Sequence, residues 1–166
     1  MSLFVSRRIM IAGAAASAAG LAAPAIFRPV LAQGLEPTLS MRGGANNYRP
    51  GAPIVERIGK GGFWMTGTVR RAGDGAPIRD ARIQIWAHTT EGYENDPQSH
   101  GATLTDANGA FQMDMPQIVP AFGQPHGHLA YDAEFDGASF KTVFLRPVMS
   151  SASNTSLEAH FVLSEA

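Results

Sequence analysis

The chain has no cysteine. That excludes a disulfide framework and any thiolate metal site, so a bound metal must use His, Tyr or carboxylate ligands. Charge is also scarce: Asp, Glu, Lys and Arg make up 16% of 166 residues, and the formal net charge is −1. No basic cluster occurs beyond residue 32, which argues against a nucleic-acid surface or an anionic-membrane surface. No stretch after residue 32 keeps a helical period. Only one long apolar run exists, residues 9–25, and it is uncharged and rich in Ala and Gly.

That run belongs to a segment unlike the rest. Ser6-Arg7-Arg8 precedes it, and Val30-Leu31-Ala32 places small residues three and one positions before a cut ahead of Gln33. A positive start, an apolar run and a small-residue site are the parts of a secretory signal. The adjacent arginines point to the twin-arginine route. The expectation is therefore a signal helix over 1–32, cleaved, with the remainder exported folded to the periplasm or secreted, and no membrane association after cleavage. An uncleaved anchor is the alternative, since the run reaches the bottom of the spanning range.

The remainder is long enough for one ordinary domain with a real core. Eighteen glycines and eleven prolines favour strands joined by turns. Residues 33–62, rich in Gly, Pro, Asn and Arg, read as an extended arm. Strands are predicted at 63–71, 81–89, 110–115 and 157–163. A hairpin of 127–135 and 139–145 is expected around Asp136-Gly137. In 81–89, Ile83, Ile85 and Ala87 share one face, and Gln84, Trp86 and His88 the other. Residues 91–101 and 117–125 read as loops, and 105–109 as a turn. About seven short strands predict an all-β fold, a β-sandwich over 63–166.

The sharpest chemical feature is His126-Gly127-His128. Residues two apart in an extended segment point the same way, so both imidazoles converge on one point. Gly127 between them leaves room for a third group. Imidazole pairs suit Fe, Cu and Zn; two surface histidines at a loop end are the bland alternative. Tyr93 follows the clearest strand. It reads either as a loop anchor or as a tyrosinate ligand of a hard, high-valent ion, whose charge would depress the phenol pKa.

The segments Asn47-Tyr48-Arg49-Pro50-Gly51-Ala52-Pro53, Thr66-Gly67-Thr68-Val69, Gly75-Ala76-Pro77-Ile78-Arg79-Asp80-Ala81-Arg82-Ile83-Gln84-Ile85-Trp86, Gly92-Tyr93, Thr105-Asp106-Ala107-Asn108-Gly109-Ala110-Phe111 and Pro125-His126-Gly127-His128 occur in this order. The series resembles the intradiol ring-cleavage dioxygenases, the family of catechol and protocatechuate dioxygenases. The resemblance implies a β-sandwich holding mononuclear, non-haem Fe(III) by two tyrosines and two histidines. It implies cleavage by O₂ of a catecholic aromatic between its hydroxyl-bearing carbons. By position, Tyr93 matches the first ligand tyrosine, and His126 and His128 match the histidine pair. Tyr48, in the arm, and Gln124 are the candidate substrate contacts, and Gln124 is also the candidate catalytic residue. The family is commonly oligomeric, so a homo- or hetero-oligomer is expected.

Three positions depart from the family pattern. No tyrosine lies between Tyr93 and His126, where the second ligand tyrosine belongs; Phe122 has no oxygen, and Tyr131 in a strand faces away from the histidines. Gln124 stands where the family has an arginine before the histidines; it can donate a hydrogen bond but supplies no cation. Val143 replaces an often polar residue. A Tyr-His-His site would be open to Fe(II), Cu(II) or Zn(II), with His88 and His100 as candidate fourth ligands. The alternative readings are an exported metal-binding protein on the same scaffold, or a non-catalytic partner subunit.

Overall fold

The computed structural model describes residues 34–137 and 139–166. The expected signal segment and its cut lie outside these residues. The described chain is all β apart from one α-helical turn and one 3-10 turn. Seven strands form two sheets: β1 Phe63–Arg71, β2 Arg82–Ala87, β3 His100–Leu104, β4 Ala110–Met115, β5 Gly127–Tyr131, β6 Val143–Leu145 and β7 Ser156–Leu163. One sheet has the order β4-β1-β7, with β1 and β7 parallel; the other has the order β3-β2-β5-β6, antiparallel throughout.

The sandwich follows from period-two alternation. Phe63, Met65 and Val69 of β1, Met113 and Met115 of β4, and Phe161 and Leu163 of β7 point inward from one sheet. Ile83 and Ile85 of β2, Leu129 and Tyr131 of β5, and Val143 and Leu145 of β6 meet them from the other. These side chains join in a single buried cluster, the main driving force for closing the two sheets. The turn between β3 and β4 is set by Asp106, whose carboxylate accepts from the Asn108 and Ala110 amides at 2.8 and 2.9 Å.

Two local expectations need correction. Residues 91–101 are not loop to the end, because β3 begins at His100. His100-Gly101-Ala102-Thr103-Leu104 contains little large apolar surface, so its alternation leaves no mark in the sequence. The 127–145 segment is not a tight hairpin either. Between β5 and β6 lies α1, Ala133–Asp136. Asp132 caps it by accepting from the Glu134 amide at 3.0 Å, and Gly137 ends it in the left-handed region at φ 63°. The alternation of Ala133 and Phe135 continued the strand pattern and hid the cap.

Residues 34–62 carry isolated bridges and turns but no strand. Residues 44–52 run across the outer face of the four-stranded sheet, where backbone carbonyls of the arm accept from strand side chains. Gln84 Nε2 donates to the Arg49 carbonyl at 2.8 Å, Trp86 Nε1 to the Asn46 carbonyl at 2.9 Å, and Arg82 to the Ala52 carbonyl. Every residue of β2 is consequently buried on both faces.

Candidate functional site

The outer face of the four-stranded sheet carries a ladder of rings. Trp86 on β2 lies opposite His100 on β3 and His128 on β5. It stacks between them, with centroids 5.5 and 5.2 Å away and planes within 9° and 12° of parallel. Strand pairing therefore fixes the His128 ring from one side. His126, just before β5, points to the same face, and the two histidine rings meet edge to face at 5.0 Å. The structure thus brings the pair together as their spacing predicts.

Gly127 has a different role from the one expected. It lies between the pair and faces the core, where a Cβ would collide with the Met65 methyl. Its small size serves sheet packing, and the third group at the site arrives from elsewhere.

That group is Glu94. Its Oε2 lies 3.0 Å from His128 Nε2 and 3.6 Å from His126 Nε2. The three donor atoms all fall within 4.8 Å of one another, and all three residues are buried. The segment delivering Glu94 is folded tightly. Asp96 accepts from the Tyr93 amide at 2.9 Å. The Glu94 backbone carbonyl accepts from His100 Nε2 at 2.8 Å. The second carboxylate oxygen accepts from Asn47 Nδ2 of the arm at 2.9 Å.

Both imidazoles are oriented through Nδ1. His128 Nδ1 donates to the Gly44 carbonyl at 3.0 Å, and His126 Nδ1 to the Gln124 carbonyl at 2.8 Å. A carbonyl only accepts, so these contacts place a proton on each Nδ1. Arg146 Nη2 also approaches His126 Nδ1, at 3.3 Å; a guanidinium only donates and so competes for this nitrogen, and the shorter carbonyl contact decides the tautomer. Burial pushes the His128 pKa below the usual imidazole range, against the opposing pull of the Gly44 hydrogen bond and the Glu94 charge. Burial does the same for His100. With its Nε2 given to a carbonyl and its ring held on Trp86, His100 steadies Glu94.

Tyr93 stands beside this cluster. It is 66% exposed and stacks on His88, with centroids 4.9 Å apart and planes within 9°. The two rings help line a cavity of about 410 Å³ with Asn47, Glu94, Asn95 and Phe122. Asn47, not Tyr48, faces this cavity. The Tyr48 hydroxyl donates to Asp132, its ring packs on Trp86 and Phe144, and burial together with Asp132 holds the phenol protonated. Gln124 is exposed, and its backbone carbonyl positions His126. Tyr131 is fully buried in the core on the opposite face of β5 from His128. Glu94 is the member that pattern reading missed. A single acidic residue in Gly92-Tyr93-Glu94-Asn95 has no periodic signature; only its sequence adjacency to Tyr93 could have marked it.

No family model and no curated protein matches this sequence. Solved structures do match its fold. One is 3-chlorocatechol 1,2-dioxygenase from Rhodococcus opacus 1CP, with TM-score 0.56 and 16% identity over 78% of this chain and 72% of that one. Another is hydroxyquinol 1,2-dioxygenase from Pseudomonas putida DLL-E4, with TM-score 0.59 and 12% identity over 81% and 69%. A third is the dioxygenase domain of a dioxygenase carbohydrate-binding protein fusion from Streptomyces sp. SirexAA-E, with TM-score 0.58 and 17% identity over 79% of this chain and all of that one. The fold is that of these dioxygenases. At such identities the likeness speaks for the fold alone.

The ferric ligand set implied by the intradiol resemblance does not fit these residues. It needs two tyrosines and two histidines. The chain has three tyrosines: Tyr93 adjoins Glu94 with its ring stacked on His88, the Tyr48 hydroxyl is engaged by Asp132, and Tyr131 is on the far side of the sheet. No second phenol oxygen reaches the pair. The donors that do converge are two imidazoles and one carboxylate.

Proposed function

We propose that this protein is a ring-cleaving dioxygenase of intradiol type, acting outside the cytoplasm on a catecholic aromatic with O₂. In such a reaction the bond between the two hydroxyl-bearing carbons breaks, and both atoms of O₂ enter the resulting diacid. The single observation that carries the reading is the buried His126–His128 pair, joined by Glu94 to an aromatic-walled cavity on a dioxygenase fold. The cavity volume lies in the ordinary range for small-ligand sites, about 300–1,000 Å³. A metal bound by the pair would supply Lewis acidity and a template for the two substrate oxygens.

The chain's own contribution is positioning. Tyr93 stacked on His88 makes a flat wall suited to an aromatic ring. Asn47 and Asn95 bring amide groups to the same cavity. Phe122, 97% exposed on the 117–125 loop, forms an apolar rim. Gln124, also on that loop, is a candidate hydrogen-bond donor to substrate. Export by the twin-arginine route suits a metal loaded before the site meets competing ions outside.

The test is O₂ uptake by metal-loaded protein with catechol, protocatechuate and hydroxyquinol in turn. One O₂ should be consumed per ring opened, with loss of the aromatic absorbance. Uptake with none of the three, by protein that has bound one equivalent of metal, would instead support an exported metal binder or partner subunit.

A further inference from the structure

The three convergent donors form a site on a different chemical plan from a ferric bis-tyrosinate centre. We infer that Glu94, His126 and His128 are a three-ligand site for a divalent transition metal, with Glu94 taking the place of a tyrosinate. The inference uses the site of the proposed reaction but stands without that reaction.

The tautomers supply the first argument. Each Nδ1 is committed to a backbone carbonyl, so each neutral ring presents a bare Nε2. Both bare nitrogens face the same carboxylate oxygen, at 3.0 and 3.6 Å. Three electron pairs then converge with no proton between them. Such an arrangement is repulsive unless a cation sits among them or a ring takes up a second proton. A metal–ligand distance of about 2.0–2.2 Å gives ligand–ligand edges of roughly 3.0 Å in an octahedral site and 3.4 Å in a tetrahedral one, so the observed separations suit a coordination polyhedron.

The surroundings of the donors supply the second. Each donor is held by a separate partner. Gln124 holds His126, Gly44 holds His128, and Asn47 holds the free oxygen of Glu94. Trp86 fixes the His128 ring by stacking, and His100 fixes the Glu94 backbone. Outer contacts that set tautomer and aim are characteristic of metal ligands. They are costly to assemble for a surface pair that binds nothing.

The third is the donor set itself. Two imidazoles and one carboxylate on one side of a metal, with open positions, is the pattern of non-haem Fe(II) oxygenases. Glu94 lines the cavity, so a metal held by its carboxylate would border the space available to a small molecule. Tyr93, exposed and stacked on His88, is then a wall of that space and not a ligand.

The test titrates Co²⁺ into the metal-free protein, following visible d–d absorption and bound stoichiometry. One equivalent should bind. Glu94→Gln and His126→Ala should each weaken binding at least tenfold, Glu94→Asp should recover part of it, and Tyr93→Phe should stay within twofold of the parent. Resonance Raman of Fe³⁺-loaded parent protein requires no variant and should show no tyrosinate ring modes. The inference is overturned if Co²⁺ does not bind. It is also overturned if Tyr93→Phe loses as much affinity as Glu94→Gln, or if tyrosinate modes appear. None of these readouts needs turnover, so a lack of ring cleavage counts against the proposed function and leaves the ligand set standing.

Discussion

Trp64 and Trp86 both stand on interior strands of their sheets, and both point away from the core. Trp64, on β1, is 43% exposed, whereas Trp86, on β2, is fully buried. The difference lies in what covers the two outer faces. On the four-stranded sheet, the side chains of His128, Trp86 and Gln84 donate in turn to arm carbonyls at Gly44, Asn46 and Arg49. On the three-stranded sheet, Trp64, Thr66, Thr68, Gln112 and Glu158 border an open groove. Strand alternation decides which residues turn from the core. The arm decides which of those residues are dry, and only a dry polar face gathers convergent, orientation-locked donors. A buried donor must find a partner or carry a penalty, so covering the face turns loose polar side chains into fixed ones.

The largest expected effect tests this contrast at the two tryptophans. Trp86→Ala removes a ring packed against Tyr48, His100 and His128. It should cost about 3–5 kcal/mol, as large-to-small core changes do. Trp64→Ala should cost about 1 kcal/mol or less, as changes on open surfaces usually do. Urea unfolding at matched slope measures both. Equal losses would mean that the arm is not part of the folded core.

The two faces also differ in how much the sequence discloses. The inward sets of β1, β2, β4 and β7 are mostly large and apolar, so their strands and the sandwich were legible. β3 was not, because Gly101 and Ala102 carry too little side chain to show alternation. α1 was hidden because Asp132 acts as a cap where the pattern read it as strand. At the site, His126 and His128 were legible because their spacing of two is itself the geometry. Glu94 was not, since its place depends on a bridge between Thr89 and Gly92, on Asp96 tying the Tyr93 amide, and on an arm residue some 47 positions away. Tyr48 shows the opposite failure: a residue expected to meet substrate is occupied with anchoring the arm, because its hydroxyl lies over Asp132.

A smaller effect separates two glutamines. Gln84 is fully buried, donates to the Arg49 carbonyl, and its Oε1 accepts a long bond from the Ala52 amide at 3.4 Å. Gln84→Ala strands these arm groups and should cost about 1–3 kcal/mol, the penalty for leaving buried polar groups unpaired. Gln112 is exposed beside the open groove, and Gln112→Ala should fall within about 0.5 kcal/mol of the parent. A Gln84→Ala variant as stable as Gln112→Ala would show that the arm bonds only lightly to the sheet.

The arm reaches the three-stranded sheet by another kind of contact, and its effect should be the mildest and the most dependent on pH. Asp114 of β4 accepts from the Gly62 amide at 2.7 Å and from Arg57 Nε at 2.6 Å. The Gly62 hydrogen bond and the Arg57 charge hold its carboxyl below the usual carboxylate value, against the opposing effect of burial. A folded-state pKa below the unfolded one stabilises the fold above the unfolded value, near about 3.9, and that contribution fades as pH falls through the lower folded value. Asp114→Asn should therefore lower the unfolding midpoint at neutral pH, and the gap from the parent should close in acid. The gap produced by Gln84→Ala, whose arm partners are the uncharged backbone groups of Arg49 and Ala52, should change less over the same range. A constant Asp114→Asn gap would mean that Arg57 and Gly62 do not distinguish the charged from the neutral side chain, and that the arm is fastened to both sheets in the same way.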